Sequence, residues 1–184
     1  MKRVLFFGFA IQFLMLLGAP FAKGEPIISV GSSVNPPPAY LPTPPAGTFP
    51  VPVDITGATN LQNWQFDLLF DNAVVQEVDP GDGSSGIYGA ELSPGDPESM
   101  SFILSGFPFN SLGLVDTVAG EYPSLLIGPS GDGSLAFILF EFLPGQDMNN
   151  PDFSIQNTVV QEGVPEPATL ALLAAGLALL AASL

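Results

Sequence analysis

Gly131-Asp132-Gly133-Ser134-Leu135-Ala136-Phe137-Ile138-Leu139-Phe140-Glu141-Phe142 is the stretch on which the fold turns. A Gly-Asp-Gly turn signal opens it. From Leu135 to Phe142 the residues are apolar on both alternating faces, with Glu141 the one interruption. A run of this length, rich in Phe, Ile and Leu and bounded by turn residues, reads as a strand covered on both sides. It predicts the central strand of a packed sheet.

Outward from it, other segments are written in period two. Phe49, Val51, Val53 and Ile55 share one face, with Pro50 and Pro52 between them, which suits an edge strand. Trp64, Phe66, Leu68 and Phe70 alternate with Gln65, Asp67 and Leu69. Met100, Phe102 and Leu104 alternate with Ser101, Ile103 and Ser105, and the apolar set is expected in the core. Ile27 to Val30, Ser124 to Ile127 and Phe153 to about Val160 complete the expected strands, while Asn72 to Glu77 suits one turn or a short strand. Gly57 to Asn60, Pro80 to Gly89, Ser93 to Pro97 and Gly128 to Gly133 read as turns. No amphipathic helix is evident between residues 25 and 164, so the fold class is all-β, a β-sandwich. Asn35 to Pro45, crowded with proline, reads as an extended loop after the first strand.

The two ends of the chain are of another kind. Lys2 and Arg3, then apolar Val4 to Leu17, then small Ala22 and Gly24, have the three parts of a secretory signal peptide, residues 1–24. Ala168 to Leu184 is uncharged and mostly Ala and Leu, good helix formers. As a helix it would span about 25 Å, enough to cross a locally thinned bilayer. The expected organisation is therefore 1–24 signal peptide, 25–163 one β-sandwich domain and 164–184 a tail with a transmembrane helix.

Removing residues 1–24 changes the charge picture. The three bases are Lys2, Arg3 and Lys23, and all 18 acids begin at Glu25. The mature chain thus has no Lys, Arg or His, which excludes a nucleic-acid partner and electrostatic docking on anionic lipid. The chain has no Cys, so it forms no disulfide. Without His, Cys and Lys the usual triads, thiolate and amine nucleophiles, and zinc or copper sites are excluded. Carboxylate chemistry survives: a glycosidase acid pair, or calcium. Asp79, Asp82 and Asp132 are the loop acids that would hold calcium, although Asp and Gly there serve equally as turn residues. No cofactor is otherwise expected. Tyr40, Tyr88 and Tyr122 are the aromatic residues outside the core stripes that would form a sugar platform.

Val164-Pro165-Glu166-Pro167-Ala168-Thr169-Leu170 and the apolar run after it resemble the PEP-CTERM sorting signal of Gram-negative bacteria. The resemblance implies that Pro165, Glu166 and Pro167 are recognised by an exosortase, a membrane protease-transpeptidase. It also implies a transient stay in the inner membrane and delivery to the cell surface or exopolysaccharide matrix. The chain ends Ala181-Ala182-Ser183-Leu184 where that family carries an Arg-rich cluster.

Thr48-Phe49-Pro50-Val51-Pro52-Val53-Asp54-Ile55, Leu61-Gln62-Asn63-Trp64-Gln65-Phe66-Asp67-Leu68-Leu69-Phe70-Asp71 and Gly131 to Glu141 resemble strands of cohesin-like domains. That resemblance covers most of residues 27–160 and implies a jelly-roll sandwich that binds a protein. The expected function is an exported, non-enzymatic surface or matrix protein acting in adhesion or protein binding. Carbohydrate binding in the extracellular polysaccharide and a carboxylate glycosidase are the alternatives.

Overall fold

The computed structural model describes residues 24–31, 44–81, 85–93, 96, 99–122, 128–146, 151–163 and 176. The expected signal peptide before Gly24, most of the Pro-rich stretch, Ser124 to Ile127 and the tail (Gly176 apart) lie outside them. Among the described residues the strands are β1 (Ile27–Val30), β2 (Thr48–Ala58), β3 (Leu61–Phe70), β4 (Val75–Glu77) and β5 (Ile87–Gly89). They continue as β6 (Phe102–Phe109), β7 (Leu114–Glu121), β8 (Gly131–Phe142) and β9 (Phe153–Glu162), with a 3-10 turn at Asn110–Leu112. No helix among the described residues is long and apolar enough to cross a membrane.

The strands form two sheets. One runs β1-β2-β8-β4, with β5 also paired to β8; the other runs β6-β7-β3-β9. Every pairing is antiparallel. The architecture is an all-β sandwich. As its apolar run predicts, β8 is central: β2 pairs on one side, β4 and β5 on the other, and Leu135 to Phe140 are all buried.

Facing apolar stripes make the core. Phe140 of β8 meets Phe70 and Phe153 of the opposite sheet edge-on, at 5.0 and 4.9 Å between ring centroids. Trp64 and Phe66 stack at 5.5 Å. Glu25–Gly163 is one compact unit, and the core cluster lies wholly within it. It therefore holds the buried apolar surface that folding requires.

Two expectations about strand position are corrected. β2 is not an edge strand, because β1 pairs with it from Val53 to Thr56. The prolines are accommodated because their missing donors face the β1 side, not β8. The Pro52 carbonyl on that side accepts from the Gly31 N–H at 2.9 Å, and Pro50 lies beyond the end of β1. β5 occupies the end of a segment expected to be all turn, and β7 is a strand that the sequence pattern did not mark.

β4 and β5 are two parts of one edge. Glu77 pairs with Phe140, the Val78 N–H donates to Leu139 O, the Leu139 N–H donates to Gly86 O, and Ile87 pairs with Ile138. The chain thus pairs with β8 up to Val78 and again from Gly86.

Candidate functional site

The distinctive surface is the edge of the second sheet at β6. Its parity is the reverse of the sequence expectation. Ser101 is buried: its Oγ donates to Leu135 O at 2.6 Å and accepts from the Ala90 N–H at 3.1 Å. Its N–H donates to Ala90 O at 3.0 Å. A side chain on Gly89 would collide with the Ser101 carbonyl, so glycine permits this close approach. With Ser101 turned inward, period two turns Phe102 outward. Phe102, Leu104, Phe107 and Phe109 are 45–60% exposed, and Leu112 continues the ridge.

The ridge is also uncharged. Ser99 to Val115 contains no Asp, Glu, Lys or Arg. Cross-strand register places acids directly behind it: Phe102 pairs with Glu121 and Phe107 with Asp116, whereas Phe109 pairs with Leu114. Further inward the face becomes amide-rich, with Asn63 beside Glu121 and Gln161 beside Asn63. Asn63 Nδ2 donates to Gln161 Oε1 at 2.8 Å.

A cleft of about 290 Å³ adjoins the ridge, lined by Ser85 and Ile87 on one side and Ile103 to Phe107 on the other. Gly106 leaves room for the Ile87 side chain at its floor. Among the described residues the lining holds no carboxylate, so these residues present no glycosidase acid pair.

Asp67 braces the centre of the same sheet. Its Oδ1 accepts from the Thr117 N–H at 3.0 Å and its Oδ2 from Asn157 Nδ2 at 2.6 Å. Register shifts occur at this level against both β7 and β9. Thr117 and Asn157 both have left-handed backbone, at φ 50° and 51°. One buried carboxylate therefore ties a bulge on each side of β3. Period two puts Asp67 on the face opposite the apolar stripe of β3, and only the pairing shows its role.

Glu77 is the other unusual acid. It is 5% exposed, and its Oε1 has no hydrogen-bond partner. Burial, then the negative charge of Asp79, pushes its pKa up to about 7.

Of the candidate calcium acids, Asp79 and Asp132 lie apart. Asp79 Oδ1 accepts from the Gly81 N–H at 2.8 Å, and Asp132 Oδ1 accepts from the Gly57 N–H at 2.6 Å. Asp79 follows Val78, which pairs with Leu139, while Asp132 opens β8 about 23 Å away at ~3.3 Å per residue. One ion cannot take both. Asp82 lies outside the described residues, as do Pro165, Glu166 and Pro167. Among the described residues no three acids group to hold a metal. The two described tyrosines do not make the expected platform either. Tyr122 belongs to the core, Tyr88 is half-buried on β5, and Tyr40 lies outside the described residues. The exposed aromatic row is made of phenylalanines.

No known protein family matches the chain, and no curated protein matches it. Among solved structures it is similar to a non-cellulosomal cohesin from the hyperthermophilic archaeon Archaeoglobus fulgidus, with 18% identity and a TM-score of 0.44. That match covers 63% of this chain and 68% of the other. The second type II cohesin module of the adaptor ScaA scaffoldin of Acetivibrio cellulolyticus matches with 20% identity and a TM-score of 0.45. It covers 78% of this chain and 75% of that one. The third cohesin of ScaC from the same organism, solved with the ScaB dockerin, has 18% identity and a TM-score of 0.44. It covers 63% and 77% of the two chains.

Proposed function

We propose that this chain is an exported, non-enzymatic binding module that docks a protein partner on the β6 edge of its second sheet. The observation that carries the reading is the ridge of Phe102, Leu104, Phe107 and Phe109, large apolar side chains left in water on an uncharged edge. Contiguous exposed apolar surface of this kind marks interaction sites. Protein binding is also what the cohesin-like motifs imply. The signal-like start and the Pro165-Glu166-Pro167 tail support delivery to the cell surface or matrix through an exosortase.

A surface-protein extract and an exopolysaccharide extract are each passed over immobilised residues 25–163 and over the same domain with Phe102→Ser and Phe107→Ser. The expected result is a defined surface protein held by the first domain and lost by the second, with the interaction reproduced between purified proteins. Retention of polysaccharide alone would favour the carbohydrate-binding alternative, for which phenylalanine faces would serve as stacking platforms. Equal protein capture by both domains would remove the ridge from the function.

A further inference from the structure

We propose, resting on that docking reading, that the partner segment is basic: apolar side chains seated on the ridge and flanked by Lys or Arg that meet Glu121 and Asp116. The argument begins with register. Phe102 and Glu121 are cross-strand partners, as are Phe107 and Asp116, so each pair projects on the same face. Cα atoms so paired lie about 5 Å apart. Any surface that covers the two rings therefore closes over two carboxylates.

Nothing in the domain neutralises them. No Lys, Arg or His occurs after Lys23. A second copy of this chain would bring only further acids against Glu121 and Asp116, so self-association through this face is opposed by like charge. An acidic polymer meets the same opposition. A basic partner gains the charge pairs in addition to ring burial.

The ridge also selects how the partner docks. Addition of a strand to β6 is obstructed, because register shifts fall between Ile103 and Ser105 and between Ser105 and Phe107, and Pro108 has no N–H. Recognition therefore runs through the side chains.

The test measures binding of residues 25–163 to two short amphipathic helical probes, one of Leu and Lys and one of Leu and Glu, at low and high salt. The Leu/Lys probe is expected to bind and the Leu/Glu probe to fail. Phe102→Ala with Phe107→Ala should weaken the Leu/Lys probe about tenfold. Glu121→Gln with Asp116→Asn should weaken it about fivefold and reduce the salt dependence. Glu25→Gln with Asp152→Asn, two exposed acids off β6 and β7, should change it less than about twofold. Equal binding of the Leu/Glu probe overturns the inference. So does equal weakening by the two pairs of acid substitutions, which would show general attraction to an acidic protein. If the Phe substitutions abolish capture of a surface protein while neither probe binds, the basic-partner inference fails and the docking reading stands. If they leave that capture intact, the docking reading itself fails.

Discussion

The side-chain amide of Asn110 pairs in both directions with the backbone of Glu77. The Glu77 N–H donates to Asn110 Oδ1 at 2.8 Å, and Asn110 Nδ2 donates to the Glu77 carbonyl at 3.0 Å. Asn110 follows β6 in one sheet, and Glu77 ends β4 on the edge of the other. The amide takes the place of a neighbouring strand, satisfying an edge N–H and C=O together and joining the two sheets. Asn110→Ala removes both bonds and should cost about 1–3 kcal/mol in urea denaturation. An unchanged midpoint would show that water replaces the amide without loss.

Glu77 gives the fold a pH dependence of defined sign. Its pKa is raised from 4.5 to about 7, first by burial and then by Asp79. Between those values the folded chain binds more protons than the unfolded chain, so this group's contribution is greatest below 4.5, declines as pH rises and levels off above about 7. Compared with Glu77→Gln, the natural domain should lose stability between pH 5 and pH 8, and paired denaturation curves measure the difference. A constant difference across that range would mean that Glu77 titrates normally.

Asp67→Ala leaves the Thr117 N–H and the Asn157 amide without their acceptor at two left-handed positions. The expected loss is about 3 kcal/mol, larger than for an exposed acid such as Asp152. Equal effects of the two substitutions would refute the bracing role.

The two glycines beside the ridge should respond differently to alanine. At Gly89 the added methyl meets the backbone carbonyl of Ser101, whereas at Gly106 it meets the end of the Ile87 side chain, which can rotate away. Thermal unfolding should show Gly89→Ala costing about 3 kcal/mol and Gly106→Ala about 1 kcal/mol. The reverse order would contradict the packing of β5 against Ser101.

Phe102→Ser tests the parity of β6. With the ring outside, stability should change by less than about 0.5 kcal/mol, whereas loss of a core phenylalanine costs about 3–5 kcal/mol. A core-sized loss would restore the face expected from the sequence.

The sequence by itself determined the all-β class, the central place of Leu135 to Phe142 and the inward stripe of Trp64, Phe66, Leu68 and Phe70. Local composition suffices there: a strand apolar on both faces must be covered on both, and a strand with one strongly apolar face has one way to bury it. The tertiary structure alone decided four other matters. It turned Ser101 inward and Phe102 outward, ended β1 where Pro50 of β2 needs no partner, and set Asp67 between two bulges. It also placed Asp79 and Asp132 far apart along β8. Period two defines two faces without saying which is inside. In β6 both sets contain apolar residues, so the choice falls to bonds with distant partners, the Leu135 carbonyl and the Ala90 backbone. Those bonds exist only once β5, β6 and β8 have come together, because hydrogen-bonded pairing between strands far apart in sequence is a property of the assembled sheets.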